Sequence, residues 1–315
     1  MEVVHRKVMV TGGTGFIGSH LVCELVRSFD VVVPYIEVDS KSIFAQKKLQ
    51  KKVKLEKVNI LDFEKIDKLI SSSKVDYIIH LAAQPLVTLA YDFPYETINT
   101  NIMGTVNVLE AARRYGKIKG IIVASSDKAY GQSSSGYKEG DPLLGKHPYD
   151  VSKTSGDLTA QAYFETYGLP VVITRFGNVY GEGDLHFDRL VPGLMKSVIG
   201  GRTFEIRSDG KYRRDYIYVK DVALGYLLLL SKIDRLFGQA FNFSSSDNLS
   251  VIDVLKLTEK SLGVKIKYKI LNETRNEILS QHLDGGKIKK LGWKQESNFA
   301  DSIKDVYDWY KETLK

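Results

Sequence analysis

Short apolar runs alternate with longer amphipathic segments through the first half of this chain, and this alternation limits the folds open to it. The runs are "KVMVT", "VVV", "VKLEKV", "VDYIIH", "KGIIVAS" and "PVVITR", and helix-length segments lie near 16–28, 63–72, 95–115 and 149–167. Strands that alternate with helices build a parallel sheet covered by helices on both faces. The chain is therefore predicted to be an α/β protein with a doubly wound parallel sheet, in which ligands bind at the carboxyl ends of the strands.

A glycine-rich loop follows the first predicted strand. The segment "TGGTGFIGSH" places Gly12, Gly15 and Gly18 three residues apart, with a helix beginning inside the pattern. Gly12 permits a tight turn, Gly15 lets backbone N–H groups approach a pyrophosphate, and Gly18 lets the helix pack close to the sheet. The positive end of the helix also favours phosphate charge. Strand, loop and helix in this order predict a Rossmann-type domain that binds a dinucleotide.

Three residues are candidates for the contact with the adenosine ribose, which an acidic residue usually makes at the end of the second strand. Pro34 lacks an N–H for the sheet, so the strand is predicted to end at Val33. Tyr35 then stands where the acid is expected, and Glu37 and Asp39 follow in the loop. No arginine is present there to bind a 2′-phosphate, so the predicted cofactor is NAD rather than NADP.

The alternation of strands and helices stops after about residue 178. Glycine-rich turns, strand-like pieces such as "TFEIRS" and a final helix follow, whereas "GQAFNFSSS" has the pattern of a buried strand that rejoins the main sheet. We therefore predict an NAD-binding domain formed by residues 1–178 and about 215–246. Residues 179–214 and 247–315 are predicted to form a smaller α/β substrate-binding domain.

Composition and charge narrow the classes of partner. The 315 residues are 43% hydrophobic, enough for a substantial core, and the formal charge of +7 favours a small anionic substrate. The lysine-rich segment 47–57 is predicted to be a solvated helix face rather than a nucleic-acid site, because it lacks aromatic residues for base stacking. No run of about 18 apolar residues occurs and the chain opens on a strand pattern, so neither a membrane span nor a signal peptide is expected. With a single cysteine, Cys23, these features predict a cytoplasmic protein without disulfides.

The pair Tyr149 and Lys153 in "YDVSK" shares one face if these residues form a helix. A lysine so placed can lower the pKa of the tyrosine, which makes the phenol a usable base, and it can bond the nicotinamide ribose. The spacing occurs four times in the chain, but only Tyr149 begins a helix soon after a strand that ends in polar residues.

That strand runs into "ASSDKAYG", where Asp127 and Lys128 stand side by side. Neighbouring side chains on an extended chain point in opposite directions. The two residues therefore form either a solvated turn or an acid and a base that flank a ligand.

Seven motifs occur in a fixed order along nearly the whole chain: "TGGTGFIGSH", "HLAAQ", "NTNIMGTVNVLEAAR", "SSDKAYG", "YDVSK", "RFGNVYG" and "RRDYIYVKDVA". On these motifs the sequence resembles an extended short-chain dehydrogenase/reductase of the NAD-dependent epimerase/dehydratase family. The segments "HLAAQPLV", "SSDKAYG", "GNVYGEGDLHFDRLVPG" and "EIRSDGKYRRDYIYV" resemble its CDP-glucose 4,6-dehydratase branch most closely. Tyr35 departs from the family pattern at the ribose contact.

The resemblance implies a reaction for the residues at this strand end. It implies a sugar-nucleotide 4,6-dehydratase whose catalytic residues are Ser126, Asp127, Lys128, Tyr149 and Lys153. Tyr149 would take the proton of the C4 hydroxyl while C4 gives hydride to NAD. Lys128 would remove the C5 proton, and Asp127 would protonate the departing C6 hydroxyl. A 4-epimerase needs only the tyrosine and the hydroxyl residue, so the adjacent acid and base favour the dehydratase; a non-catalytic NAD-binding protein has no use for a positioned phenol.

The resemblance also implies which residues bind the two ligands. NAD is expected to contact Gly12, Gly15, Phe16, Ile17, Gly18, Glu37, Asn59, Ile60, Leu81, Ala82, Ala83, Asn101, Ala124, Tyr149 and Lys153. The nucleotide sugar is expected to contact Ser126, Asn178, Arg189, Leu190, Arg214 and Arg275. The three arginines suit the geometry of a diphosphate.

Three further expectations concern metals, histidines and assembly. No His/Cys/Asp cluster has the spacing of a metal site, so no metal is predicted. His80 closes a strand and His147 precedes a proline, so neither is expected to be catalytic. The family implies a homodimer built from the helices near 95–115 and 149–167, while the nucleotide base and the hexose stay open.

Overall fold

The structure is a computed structural model that describes residues 6–132, 136–273 and 280–315. Within them the β-strands are β1 (Lys7–Thr11), β2 (Asp30–Tyr35), β3 (Lys54–Lys57), β4 (Tyr77–His80), β5 (Gly120–Ala124), β6 (Val171–Phe176), β7 (Asn178–Tyr180), β8 (Phe204–Ile206), β9 (Arg213–Tyr218), β10 (Ala240–Phe243), β11 (Asn248–Ser250) and β12 (Tyr268–Ile270).

The α-helices are α1 (Phe16–Leu25), α2 (Ile43–Gln46), α3 (Phe63–Ser73), α4 (Val87–Asp92), α5 (Pro94–Ile98), α6 (Gly104–Tyr115), α7 (Pro148–Tyr167), α8 (Leu190–Ile199), α9 (Val219–Ser231), α10 (Val251–Leu262), α11 (Gly286–Leu291) and α12 (Phe299–Thr313). A π-helical turn, Asn99–Met103, joins α5 to α6, and 3₁₀ turns lie at Leu49–Lys51, Asp127–Tyr130 and Ile233–Arg235. None of the helices among the described residues is both long enough and apolar enough to cross a membrane.

The main sheet has the order β3-β2-β1-β4-β5-β6-β10 among the described strands, and every neighbouring pair is parallel. Strands β4 and β6 are buried along their whole length, because helices cover both faces of a parallel sheet. The strand order reverses between β1 and β4, which is the switch point where such sheets bind ligands. The predicted doubly wound sheet is confirmed, including the return of "GQAFNFSSS" as β10.

Strand β2 extends two residues beyond its predicted end at Val33. It continues to Tyr35, and Pro34 pairs with Glu56 of β3. Strand β1 pairs with β2 only as far as Val32, so no partner on that side requires the N–H that proline lacks. The prediction is wrong because Pro34 lies past the part of β2 that is bonded on both sides.

The lysine-rich segment 47–57 is also not the helix face that its charge predicts. It forms the 3₁₀ turn Leu49–Lys51 and then the edge strand β3. Leu49 is buried, and all the lysines of the segment are exposed. One buried leucine fixes the turn while the charged side chains stay in water, and lysines of this kind protect a sheet edge from unwanted pairing.

A second sheet follows directly from the main one. Strand β7 begins two residues after β6 and pairs in parallel with β9, which pairs antiparallel with β11. The turn between β6 and β7 requires Gly177, because a Cβ there would lie 2.9 Å from the Cβ of Asp215 on β9. Strands β8 and β12 form a separate parallel pair. The division into two domains at residue 178 stays a prediction.

Candidate functional site

The carboxyl end of β5 carries a cluster of buried polar side chains. Ser126 is the N-cap of the 3₁₀ turn that follows the strand, with φ −152° and ψ 156°. Its Oγ accepts the N–H of Lys128 at 3.2 Å and donates to Oδ1 of Asp127 at 3.1 Å. Asp127 is only 3% exposed, so the pair is not a solvated turn. Because this segment is a turn and not an extended chain, the two side chains do not point in opposite directions, and Nζ of Lys128 lies 3.5 Å from Oδ2 of Asp127.

Tyr149 lies in the first turn of α7 and is buried with its phenol hydrogen-bonded to Ser126. Burial raises the pKa of the phenol to about 12, although the positive charge of Arg189 and the Ser126 hydrogen bond both act to lower it. Arg189 is thus the charge that most favours the phenolate, whereas the sequence predicted this effect for Lys153.

Lys153 lies one turn further along α7, and its Nζ donates to the backbone oxygen of Ala124 at 2.9 Å. The spacing of four residues therefore brings both Tyr149 and Lys153 to the end of β5. Burial lowers the pKa of Lys153 to about 8, with Asp157 opposing this effect. The amine consequently still favours its charged form at neutral pH.

Lys128 lies among charged and polar groups with 18% of its side chain exposed. Its Nζ donates to Oε1 of Gln281, and Asp127 is its nearest carboxylate. Burial lowers the pKa of Lys128; Asp127 and Asp150 oppose this shift, and the nearby Arg214 adds to it. A lysine with a lowered pKa loses its proton readily and can serve as a base.

The glycine loop lies at the amino end of α1 and fits the phosphates of a dinucleotide. Gly12 has φ +69°, and a Cβ there would lie 2.8 Å from the nitrogen of Ala82. A Cβ on Gly18 would lie 2.1 Å from the carbonyl oxygen of Gly12, so only glycine lets the helix approach the loop. Gly15 is exposed, and a Cβ there would meet only that same oxygen, at 3.3 Å. No side chain caps α1, which leaves an open cradle of N–H groups suited to an anion.

The strand tip beside this loop is held by Thr11 of β1. The N–H of Leu81 donates to the Thr11 carbonyl oxygen and the N–H of Ala82 donates to its Oγ1, both at 3.2 Å. Leu81, Ala82 and Ala83 are half-buried, and so are Phe16 and Ile17 at the start of α1. These residues are therefore partly accessible, and their contact with NAD stays a prediction.

Asn59 and Ile60 lie after β3. Asn59 is exposed, and its Oδ1 accepts the N–H of Leu61 at 2.9 Å. Ile60 is buried, and its carbonyl oxygen accepts Nδ2 of Asn107 at 2.9 Å. Their contact with adenine stays a prediction.

Asn101 lies in the π-helical turn and is 3% exposed. Its Oδ1 accepts the N–H of Gln84 at 2.7 Å, and its Nδ2 donates to the Gln84 carbonyl oxygen at 3.1 Å and to Oγ of Ser152 at 2.9 Å. The side-chain amide of Asn101 therefore links the loop after β4 to α7. Its contact with NAD stays a prediction.

The loop after β2 contains both acidic candidates for the ribose contact. Both are exposed, and Oγ1 of Thr14 donates to the backbone oxygen of Glu37 at 3.1 Å. The carboxylate of Asp39 instead accepts the N–H of Lys41 at 2.7 Å. The backbone of Glu37 thus contacts the glycine loop directly, and Glu37 stays the predicted ribose contact.

Arg189 and Leu190 stand at the start of α8. Arg189 is the N-cap, and its Nη1 lies 3.0 Å from Oδ2 of the buried Asp184. The charge of Arg189 acts on Tyr149, which places this arginine near the phenol. Leu190 is half-buried and packs against the core of the second sheet.

Arg214 lies on β9 and is 9% exposed, with its Nη1 donating to the backbone oxygen of Arg213 at 2.8 Å. Its charge acts on Lys128, so the fold brings two of the three predicted arginines near the predicted catalytic residues. Asn178 begins β7 and is half-buried. Arg275 lies outside the described residues.

The two histidines that were given no catalytic function differ in their surroundings. His80 is buried, with Nδ1 2.7 Å from Oγ1 of Thr11 and Nε2 3.0 Å from Oγ1 of Thr105. Burial lowers the pKa of His80 to about 3, so it is a neutral core residue that joins β1 to α6. His147 is the N-cap of α7, and its side chain accepts no capping hydrogen bond from the helix.

Sequence patterns gave no indication of two residues at the site. Gln281 contacts Lys128 from 153 positions away in the chain, and no motif links the two. Asp150 is buried beside Tyr149, and burial raises the pKa of its carboxyl. Its position next to Tyr149 was the only available signal, and one adjacent acid on a helix does not reveal which way it points.

Comparisons with known proteins agree on one family. The model of the NAD dependent epimerase/dehydratase family matches residues 8–243. The chain is 30% identical to the CDP-glucose 4,6-dehydratase of Salmonella typhimurium, over 98% of this chain and 92% of that protein. It is also 30% identical to a trifunctional UDP-glucose 4,6-dehydratase/UDP-4-keto-6-deoxy-D-glucose 3,5-epimerase/UDP-4-keto-L-rhamnose-reductase of Arabidopsis thaliana, over 98% of this chain. The chain spans 47% of that longer protein, about half its length.

Solved structures of two reaction types resemble this fold. The UDP-glucuronic acid 4-epimerase of Bacillus cereus, in complex with UDP-glucuronic acid and NAD, aligns with TM-score 0.90 and 26% identity over 98% of this chain and 100% of that chain. A dTDP-glucose 4,6-dehydratase of Streptomyces venezuelae, with NAD bound, aligns with TM-score 0.88 and 28% identity over 97% of both chains. Overall shape therefore does not separate an epimerase from a dehydratase.

Proposed function

The chain belongs to the NAD-dependent epimerase/dehydratase family, and we propose that within this family it is a sugar-nucleotide 4,6-dehydratase. The membership confirms the resemblance seen in the motifs, and NAD is the cofactor of the family. The open glycine cradle and the half-buried Lys153 fit that cofactor. When bound, NAD would supply a hydride acceptor for C4 of the sugar and then a hydride donor for C6, while C5 regains a proton.

One observation carries the proposal: an acid and a base, the buried Asp127 and the half-buried Lys128, lie together beside Tyr149 at the end of β5. Epimerisation at C4 requires a proton acceptor at the C4 hydroxyl, which Tyr149 and Ser126 supply. It requires no acid and base of its own at C5 and C6. A second proton-transfer pair at this position is useful only if water is to be eliminated.

Tyr149 removes the proton of the C4 hydroxyl in the proposed reaction. The hydrogen bond to Ser126 fixes the direction of the phenol, and the positive charge of Arg189 favours its ionised form. The resulting 4-ketone makes the neighbouring C5 proton acidic, which prepares the sugar for elimination.

Lys128 then removes the C5 proton and Asp127 protonates the C6 hydroxyl, so that water leaves across the C5–C6 bond. The geometry suits a base and an acid that act together, because the Lys128 amine and the Asp127 carboxylate are 3.5 Å apart. The two groups are close enough to act on neighbouring carbons of one sugar, the amine as the base at C5 and the carboxyl as the acid at C6.

The alternative is a sugar-nucleotide 4-epimerase. The alignment to the UDP-glucuronic acid 4-epimerase supports it, and so does the intact Ser126–Tyr149 pair. The two reactions are separated by the mass of the product, because epimerisation leaves the mass unchanged while dehydration removes one water.

The test is to incubate the purified protein and NAD with CDP-, dTDP-, UDP- and GDP-hexoses and to follow the masses of the sugars. We expect one of them, with CDP-glucose the first candidate, to lose one water and form a 4-keto-6-deoxy sugar. If every hexose keeps its mass and one inverts at C4, the protein is an epimerase and the proposal fails.

We also propose that the protein is a homodimer. Apolar side chains are exposed on α5, the π-helical turn and α7, which form one packed group of helices: Tyr95 is 76% exposed, Leu158 49% and Met103 46%. Exposed apolar side chains gathered on neighbouring helices are typical of an interface. A symmetric pair of chains would cover them on both partners.

A further inference from the structure

Gln281 lies between the second sheet and the catalytic turn, which is the 3₁₀ turn Asp127–Tyr130. Its side chain is only 1% exposed. Oε1 accepts a hydrogen bond from Nζ of Lys128, and Nε2 donates to the backbone oxygen of Asp127 at 3.0 Å. The amide thus uses both of its ends on consecutive residues of the catalytic turn.

The backbone of Gln281 is fixed by the second sheet. Its N–H donates to the carbonyl oxygen of Arg213 at 3.1 Å, and its carbonyl oxygen accepts Nδ2 of Asn248 at 3.1 Å. The Arg213 oxygen also accepts Nη1 of Arg214, the predicted diphosphate ligand. One carbonyl group therefore anchors both the residue that holds Lys128 and an arginine expected to bind substrate.

We propose that Gln281 is a positioning residue that holds the Lys128 amine where it can remove the C5 proton. This inference rests on the proposed dehydration. An amine at the end of four rotatable bonds is mobile unless a fixed partner holds it. A neutral amide acceptor directs the amine without neutralising it by a full charge, and the donor end keeps the turn itself in place.

The charged groups that face Lys128 come from three elements. Asp127 lies on the 3₁₀ turn, Asp150 on α7 and Arg214 on β9. A base acts when it is unprotonated, so C5 proton removal should rise with pH through the pKa of Lys128. A negative charge at position 281 would raise this pKa, and loss of the amide acceptor would lower it, because the acceptor stabilises the ammonium form.

The test compares Gln281→Leu and Gln281→Glu with the wild type by two measurements. The first is deuterium incorporation at C5 of the sugar in heavy water across a range of pH. The second is acetylation of Lys128 by acetic anhydride across the same range, read by peptide mass spectrometry, which reports the protonation of the amine without any turnover. The matched control is Gln295→Leu, because Gln295 is half-buried and bonded to Asp247 and Ser297 away from Lys128.

For Gln281→Leu we expect C5 exchange to fall about 10²-fold, as for a misplaced catalytic group, and the midpoint of Lys128 labelling to move to lower pH. For Gln281→Glu we expect the midpoint to move to higher pH by about 1–3 units. Midpoints and exchange rates that match the wild type in both variants would overturn the proposal. Labelling shifts in a protein that dehydrates no hexose would support the Gln281 contact and contradict only the proposed reaction.

Discussion

At the scale of single residues, the proposed dehydration uses three proton-transfer groups at three positions of the sugar. In this proposal Tyr149 acts on the C4 hydroxyl, Lys128 on the C5 proton and Asp127 on the C6 hydroxyl. Their surroundings differ accordingly: Tyr149 bonds to Ser126, whereas Lys128 and Asp127 bond to each other and to Gln281. Each residue can therefore be removed separately with a different expected result.

Replacement of Tyr149 by phenylalanine should remove the first proton transfer while the ring keeps its packing. We expect product formation to fall about 10²- to 10⁴-fold. Thermal unfolding and NAD binding by calorimetry should stay close to the wild type, because only one hydroxyl is lost. A Phe variant with full activity would contradict the assignment of Tyr149 as the base.

Lys128→Met and Asp127→Asn should affect different steps. The methionine variant should incorporate no deuterium at C5 in heavy water and release no water from the sugar. The asparagine variant should keep C5 exchange but lose water about 10²- to 10⁴-fold more slowly, because an amide is a poor proton donor. Nuclear magnetic resonance of the recovered sugar measures both. Normal C5 exchange in Lys128→Met would show that another group is the base.

At the scale of secondary-structure elements, the sheet and its turns bring the site together. The apolar runs predicted the strands of the main sheet, and the glycine spacing predicted the loop, because both depend on local sequence alone. The sequence offered a solvated turn after β5 as one alternative, but not a buried 3₁₀ turn, because Ser126 caps this turn and Gln281 binds it from a distant segment. The end of β2 was predicted two residues too early for a similar reason. Where this strand ends depends on its pairing at Pro34, which pairs with β3 but not with β1.

The glycine loop supplies a prediction at this scale. Gly18→Ala should destabilise the fold by about 1–3 kcal/mol, because its Cβ would overlap a backbone oxygen 2.1 Å away. Gly15→Ala is the matched variant: its Cβ has more room within the protein, with that oxygen at 3.3 Å, but projects into the cradle expected to hold phosphate. Gly15→Ala should therefore melt near the wild type and bind NAD more weakly by calorimetry. Tight NAD binding by Gly15→Ala would contradict the cradle.

At the scale of the whole molecule, the catalytic turn follows a strand of the main sheet, whereas the residues that face it, Arg214 and Gln281, come from the second sheet and from a segment bonded to that sheet. Lys128 and Gln281 are 153 residues apart in sequence, and Arg214 arrives from a third segment. Sequence motifs marked the residues on the main sheet, because short patterns describe strand ends and helix starts. They could not show that Arg214 on β9 and Gln281 both lie near the amine of Lys128.

The apolar helices predict an assembly of two chains. A Tyr95→Glu, Leu158→Glu double variant should sediment as a monomer, because two buried charges per chain would each lack a partner at the interface. Tyr268→Glu is the control, since Tyr268 is 48% exposed on β12, away from these helices. A wild-type protein that sediments as a monomer would contradict the homodimer.

The most direct test of dehydration is to follow one hydrogen through the reaction. A CDP-hexose labelled with deuterium at C4, or the nucleotide hexose that the protein is found to convert, is incubated with the protein and NAD, and the position of the label is read by nuclear magnetic resonance. The proposed reaction moves the label from C4 to C6 in a product that has lost one water. A label that stays at C4 in a sugar of unchanged mass and inverted C4 configuration would contradict the dehydratase and assign an epimerase.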